Sequence, residues 1–130
     1  MNQLHTEIEQ LFQNGDRAGV VSKIIGVDGG VSTAEEMLGC GLFLRDRGWS
    51  SEAIAAFERG IEIHPDYIPS YYEAAFIHRI NGRHLEAARL LLVAYQKNPQ
   101  DRRTENFLLH MLHAIGANTK ALEVTQSDHR

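Results

Sequence analysis

The stretch MLGCGLFLRDRGWSSEAIAAFERGIEIHP, residues 37–65, decides the fold of this 130-residue chain. On both sides of Gly48 its apolar residues recur at the three- and four-residue spacing of an amphipathic helix. Glycine at a helix end supplies the positive φ that reverses the chain. Pro65 disfavours helical geometry in the residue before it. The stretch therefore predicts two helices joined by a tight turn.

The same pattern returns every 34 residues. Pro65 and Pro99 lie at this interval, and two sets of small residues share it: Gly48, Gly82 and Gly116, and Ala53, Ala87 and Ala121. The alanines predict places where the two helices of a unit approach closely, with Phe57 and Leu91 as larger side chains one turn later. In the third unit, Thr125 stands where an aromatic residue or leucine is expected, and no closing proline follows. The sequence predicts three helical hairpins, the last one incomplete.

These residues resemble the tetratricopeptide repeat, whose units are helix-turn-helix segments of 34 residues. The resemblance covers residues 34 to about 127. It implies an all-α fold of tetratricopeptide-repeat hairpins stacked into a short right-handed superhelix, with repeats at 34–67, 68–101 and 102–130. Helical spacing of apolar residues on both sides of an Asn-Gly-Asp turn predicts that residues 1–33 form an N-terminal helical hairpin or a degenerate repeat. We expect one structural domain.

In this family the first helices of the repeats line a concave groove that binds a peptide. In the first repeat, one stripe is expected to pack on the second helix and a neighbouring stripe faces the groove. The packing stripe consists of Met37, Cys40, Gly41 and Leu44. Repeating the neighbouring stripe at the 34-residue interval gives the predicted groove residues: Leu38, Leu42, Arg45, Tyr72, Phe76, Arg79, Asn106, His110 and His113. They predict an apolar and aromatic floor beside a cationic rim. Such a surface suits a peptide with bulky apolar anchors and an acidic flank.

A second interpretation of the same residues stays open. Arg45 and Arg79 could instead pair with nearby acids, and Tyr72 and Phe76 could be covered by the terminal segments. The family also contains a subtype that grips the C-terminal carboxylate of heat-shock proteins through lysine and asparagine side chains. Here the corresponding positions hold apolar residues such as Leu38, so that carboxylate clamp is not expected.

The resemblance implies a non-catalytic adaptor or chaperone that binds a segment of a partner protein. The size and the extra N-terminal helix pair are similar to the chaperones of translocator proteins in bacterial type III secretion. The alternative is a self-associating scaffold that uses its convex face, with Ala56, Leu90 and Val93 as the contact residues. Leu90 and Val93 could instead be partly shielded surface side chains, which are common in folded proteins.

Composition and sequence motifs narrow the possible partners, cellular locations and activities. A net charge of −4 and a pI near 5.9 disfavour nucleic acid as a partner. No apolar run reaches the length of a membrane span, the N-terminal segment lacks the pattern of a secretory signal, and the single cysteine favours a cytoplasmic location. His110 and His113 lack a third metal-ligand motif, and Cys40 lies in a packing stripe rather than an electropositive setting. We expect no enzyme activity, no metal and no cofactor.

Overall fold

The computed structural model describes residues 3–28 and 32–127, with side chains described up to residue 116. In this part of the chain there are seven helices and no strand, which confirms the all-α prediction. The helices are α1 (Gln3–Gln13), α2 (Arg17–Ile25), α3 (Ala34–Asp46), α4 (Ser50–Ile63), α5 (Ile68–Ile80), α6 (His84–Lys97) and α7 (Arg102–Ser127).

Glycines in the left-handed region form the tight turns between paired helices. Gly15 has φ 69°, Gly48 has φ 82° and Gly82 has φ 78°. An L-residue with a side chain rarely adopts this conformation, so glycine is required by the backbone at these positions. The turns predicted at Gly48 and Gly82 are confirmed.

Side-chain caps and prolines set the other helix ends. The backbone N–H of Glu36 donates to Thr33 Oγ1 over 3.1 Å, which satisfies an otherwise unpaired donor in the first turn of α3. Helices α4 and α6 each end two residues before a proline, at Ile63 and Lys97. Both endings agree with the limits that proline places on the preceding backbone.

The turn expected at Gly116 is wrong, because α7 runs without a break from Arg102 to Ser127. A returning helix must bury an apolar stripe to offset the hydrogen bonds and chain entropy lost at a turn. The sequence after Gly116, ANTKALEVTQS, offers few apolar residues for such a stripe. Continuing the helix keeps the backbone hydrogen bonds at the modest cost of a helical glycine, about 1 kcal/mol. The side chains of Ala121 and Thr125 lie outside the described residues.

The chain divides into two compact units, unit 1 (Met1–Ala74) and unit 2 (Ala75–Arg130), whose boundary falls within α5. The expected division into an N-terminal hairpin and three repeats within one structural domain stays a prediction.

Unit 1 contains two helix pairs, with α1 packed on α2 and on α3, α2 on α4, and α3 on α4. The Phe57 ring of α4 lies directly over Gly41 of α3, where a β-carbon would come within 2.7 Å of Phe57 Cζ. Met37, Cys40 and Leu44 are fully buried. The stripe predicted to pack on the second helix therefore does so.

Unit 2 has its own buried cluster, formed by parts of α5, α6 and α7. Its fully or nearly buried members are Ala75, Ala87, Ala88, Leu91, Leu108 and Met111. Leu90, Tyr95, Phe107 and Ile115 pack against this cluster and are partly buried. Ala75 of α5 shares this cluster with the small residues Ala87 and Ala88 of α6.

Two glycine substitutions in unit 2 should have opposite effects on stability. Gly82→Ala should lower the free energy of unfolding by about 1–2 kcal/mol, because the left-handed backbone is strained for alanine. Gly116→Ala should raise it by up to about 1 kcal/mol, because alanine is the better residue inside a helix. Among the described residues, no atom beyond the neighbouring backbone lies within 4 Å of a β-carbon built at either site, so the comparison concerns backbone conformation. Urea unfolding followed by circular dichroism measures both; a destabilised Gly116→Ala variant would contradict the continuous α7.

Candidate functional site

The nine predicted groove residues are divided between the two units. Unit 1 holds Leu38, Leu42, Arg45 and Tyr72, and unit 2 holds Phe76, Arg79, Asn106, His110 and His113. None of the nine is buried: the six on α3 and α5 are half-buried, and the three on α7 are exposed. The helical spacing therefore assigned these side chains to a solvent-accessible face of each helix. A groove that joins the two sets stays a prediction.

Arg45 in unit 1 is paired with two carboxylates. Its Nη1 atom lies 2.6 Å from Glu73 Oε1, and its Nη2 atom lies 3.3 Å from Asp46 Oδ1. The Arg45–Glu73 pair joins α3 to the first part of α5 and is about three-quarters shielded from solvent. Of the two interpretations left open by the sequence, ion pairing describes Arg45. Its positive charge is therefore largely compensated within unit 1.

Arg79 in unit 2 has a different environment. Its guanidinium carbon lies 5.1 Å from the ring centroid of Phe76 and 5.9 Å from that of Phe107. Among the described side chains, no carboxylate lies within 4 Å of this guanidinium. A cation over an aromatic face gains about 0.5–1 kcal/mol at an exposed site and keeps its full charge. Unit 2 therefore presents a half-buried cation on two aromatic rings.

Phe107 was missed by the sequence reasoning. Its equivalents at the 34-residue interval are Glu73 and Gly39, so the repeat register gives no sign of an aromatic residue at this position. The available signal was its place one residue after Asn106 and one turn before His110 on the same helix. We call Phe76, Arg79 and Phe107 the aromatic–arginine cluster of unit 2.

Unit 1 contains a second aromatic cluster that the sequence analysis also missed. Phe43 of α3 makes edge-to-face contacts with His5 and Phe12 of α1, at centroid distances of 5.3 and 5.4 Å. Arg47 covers Phe43, with its guanidinium carbon 3.7 Å from the ring centroid. Aromatic pairs in this geometry gain about 0.5–1.5 kcal/mol beyond their burial. The cluster fixes α1 on α3, so its role is structural.

A cleft of about 430 Å³ lies between α1, α2 and the start of α3. Three of its charged groups, Glu7, Lys23 and Glu36, have partners within unit 1. Lys23 Nζ lies 2.6 Å from Glu7 Oε2, and this hydrogen bond lowers the pKa of Glu7. The buried carboxylate of Glu36 accepts the backbone N–H of Leu4 over 3.1 Å and so caps α1. The cleft presents paired charges and supports no assignment to a ligand.

The three residues named for convex self-association do not form an exposed patch. Ala56 is fully buried, which contradicts its assignment to an exposed surface. Leu90 is partly buried and packs against the core of unit 2, so its part in self-association stays a prediction. Only Val93 is exposed. Buried Ala56 is one of the small residues that let α4 approach its neighbours, which is why it is not available on the surface.

Cys40 and His78 both lie in structural surroundings. Burial, together with the negative charges of Glu36 and Glu9, raises the pKa of the Cys40 thiol to about 12. His78 is buried, and its Nδ1 atom accepts a hydrogen bond of 2.9 Å from Arg83 Nε. In residues 3–28 and 32–116, no group of three His, Cys, Asp or Glu side chains could hold a metal ion. Within the described residues, no helix is both long and apolar enough to cross a bilayer.

Comparison with known proteins places the fold. No family model and no curated protein matches the chain. Among solved structures, MamA is similar with a TM-score of 0.63 and 17% identity, over 92% of this chain and 71% of MamA. The type III secretion chaperone SycD of Yersinia enterocolitica, in complex with a peptide of the translocator YopD, has a TM-score of 0.59 and 18% identity, over 90% of this chain and 92% of SycD.

A third similar structure is PcrH in complex with the chaperone-binding region of PopD. It has a TM-score of 0.54 and 17% identity, over 92% of this chain and 90% of PcrH. At these identities the similarity concerns the fold alone. The chain has the tetratricopeptide-repeat-like fold of small helical-repeat proteins, as its residues predict.

The surroundings of Cys40 lead to a prediction about its reactivity. The thiolate is the reactive form, and a pKa of about 12 leaves almost none of it at pH 8. Iodoacetamide at pH 8 should therefore leave the folded protein unmodified and should alkylate Cys40 fully once urea unfolds the chain. Intact mass spectrometry measures the modification. Rapid alkylation of the folded protein would contradict the burial of this thiol.

Proposed function

We propose that this chain is a non-catalytic protein-binding module, an adaptor or chaperone, that holds a peptide segment of a partner protein in a groove lined by its first helices. The observation that carries the proposal is the aromatic–arginine cluster of unit 2. Phe76, Arg79 and Phe107 combine half-buried aromatic surface with a cation that has no carboxylate within 4 Å among the described side chains. The proposal places the protein in the cytoplasm, without enzyme activity or cofactor.

The chemistry of the cluster indicates what a ligand would gain there. A bulky apolar side chain packed on Phe76 and Phe107 would remove their remaining surface from water, at about 25 cal/mol for each Å² of apolar area. A carboxylate of the same peptide could form charge-assisted hydrogen bonds with Arg79. The favoured ligand is therefore a peptide with one or two bulky apolar anchors and an acidic residue nearby.

The ion pair of Arg45 with Glu73 in unit 1 favours one orientation of such a ligand. A ligand carboxylate that approached Arg45 would compete with Glu73, which already lies 2.6 Å away. At Arg79 it would meet no such competitor among the described side chains. We infer that Leu38, Leu42 and Tyr72 contribute apolar contacts and that the acidic part of the ligand contacts unit 2.

The solved relatives by fold support a second, narrower function. Structures of SycD and PcrH contain a peptide of the translocator YopD and the chaperone-binding region of PopD. The similarity covers about nine-tenths of this chain and about nine-tenths of each of these two proteins. A chaperone of the type III secretion kind, which holds a segment of a translocator, is therefore the specific form of peptide binding that we place second.

Substitutions in the aromatic–arginine cluster should abolish peptide capture without unfolding the protein. Phage-displayed random peptides selected on the full chain should become enriched in bulky apolar and acidic residues. In fluorescence anisotropy with the best such peptide, Phe76→Ala and Arg79→Glu should each weaken binding about tenfold or more, which is about 1.4 kcal/mol. The loss follows from removing an apolar contact surface or reversing the charge that meets the carboxylate.

Arg102→Glu is the matched control, because Arg102 is an exposed arginine of unit 2 at the first position of α7. It makes the same change in net charge as Arg79→Glu and should change affinity by less than about twofold. Circular dichroism and the melting temperature of all three variants should stay near those of the unchanged chain. Equal affinity of the selected peptide for the Arg79→Glu variant and the unchanged chain would reject the cluster as the binding site.

A further inference from the structure

Unit 2 leaves two stripes of leucine side chains in solvent. On α7, Leu109 is 58% exposed and Leu112 is 49% exposed. On α6, which packs against α7, Leu85 is 49% exposed and Leu92 is 46% exposed. Arg89 lies between the two leucines of α6 at helical spacing; its side chain is exposed, and its Nη1 atom lies 3.7 Å from Glu86 Oε2. We call these five residues the leucine face of unit 2.

The repeat register explains why Leu109 and Leu112 of α7 are exposed to solvent. At intervals of 34 residues, Leu109 corresponds to Ala75 and Gly41, and Leu112 corresponds to His78 and Leu44. The four equivalents are all buried in their own units. Gly41 is covered by the Phe57 ring of the returning helix α4. Because α7 continues through Gly116 instead of turning back, no returning helix covers Leu109 and Leu112 in the part of the chain that the structure describes.

The charges of the two units point to what covers the leucine face. Residues 1–74 contain 12 acidic and 5 basic side chains, a formal charge of −7 with histidines neutral. Residues 75–130 contain 5 acidic and 8 basic side chains, a formal charge of +3. A net charge of −4 for the whole chain conceals this asymmetry. The acidic counterpart of the basic unit 2 is therefore present in every other copy of the same chain.

We propose that the leucine face of unit 2 binds unit 1 of a second copy of this chain. Burial of the leucines supplies the affinity, and attraction between the basic and the acidic unit selects this pairing. Two leucine faces brought together would oppose two basic units, which the charges disfavour. The contact is heterologous, since different surfaces of the two copies meet, and each bound copy still offers its own leucine face. The inference goes beyond peptide binding in the groove and does not depend on it.

Sedimentation velocity of the full chain tests the contact. At low salt the weight-average mass should rise with protein concentration over about a hundredfold range and should not stop at the dimer, as mass action requires of an open heterologous contact. Added salt should lower the mass at fixed concentration, because it screens the attraction between unlike charges. A chain that stays monomeric at every concentration would overturn the proposal.

Variants locate the surface. Leu109→Lys and Leu112→Lys should each raise the apparent dissociation constant about tenfold or more, since a buried apolar contact becomes a charged one. Ile80→Lys is the matched control: Ile80 is 63% exposed in the same unit but lies outside the leucine face, so its variant should associate like the unchanged chain. Equal loss in Ile80→Lys and Leu109→Lys would overturn the assignment. Circular dichroism should show unchanged helix content, because the replaced side chains are exposed.

The sign of one further variant separates the two ways of pairing. Arg89→Glu should weaken association if the leucine face meets the acidic unit 1. If two leucine faces meet each other, removing positive charge should strengthen association, and added salt should strengthen it too; either result overturns the proposal. Phe76→Ala, which affects the predicted peptide groove, should leave association unchanged. Loss of association in that variant would mean that a second copy occupies the groove, and this would also overturn the proposal.

Discussion

The close contact between the two helices of a hairpin is the constraint on which the rest of this structure depends. In unit 1 the Phe57 ring lies where a side chain at position 41 would otherwise stand, so only glycine permits this approach. In unit 2 the equivalent residues, Ala75 and Leu91, belong to one buried cluster. A large side chain against a very small one sets the rotation of the first helix about its axis. That rotation turns the stripe of Leu38 and its equivalents away from the hairpin interior.

Local rules explain why much of the fold could be predicted from sequence. Left-handed glycines at 48 and 82, a capping threonine at 33 and helical spacing of apolar residues each act within a few residues of chain, so the sequence displays them directly. Gly116 shows the limit of such rules. Glycine permits a turn but does not require one, and the choice depends on whether the following segment can bury an apolar face. A fixed interval between glycines cannot report that packing.

The sequence predicts which side chains of the candidate site share a solvent-accessible helix face, but it does not predict which of their charges are paired. Arg45 and Arg79 occupy equivalent positions in the register, yet one contacts Glu73 and the other lies over aromatic rings. The difference comes from the first helix of the next repeat, which is α5 for Arg45 and α7 for Arg79. Glu73 stands on α5, and the residue at the same register position of α7 is Phe107. Repeat spacing identifies which residues share a face, whereas their partners on neighbouring helices vary from unit to unit.

This variation means that the proposed binding of a peptide would draw on different chemistry in each unit. An incoming carboxylate at Arg45 would have to displace Glu73 from a pair that is largely shielded from water, and the displaced glutamate would need new hydrogen-bond partners. At Arg79 the guanidinium rests on Phe76 and Phe107, whose rings hold it in place without neutralising it. A cation positioned in this way loses little side-chain freedom when a ligand binds. Phe107 occupies in α7 the repeat position that Glu73 occupies in α5. This difference adds apolar surface to unit 2 and also leaves Arg79 available to a ligand carboxylate.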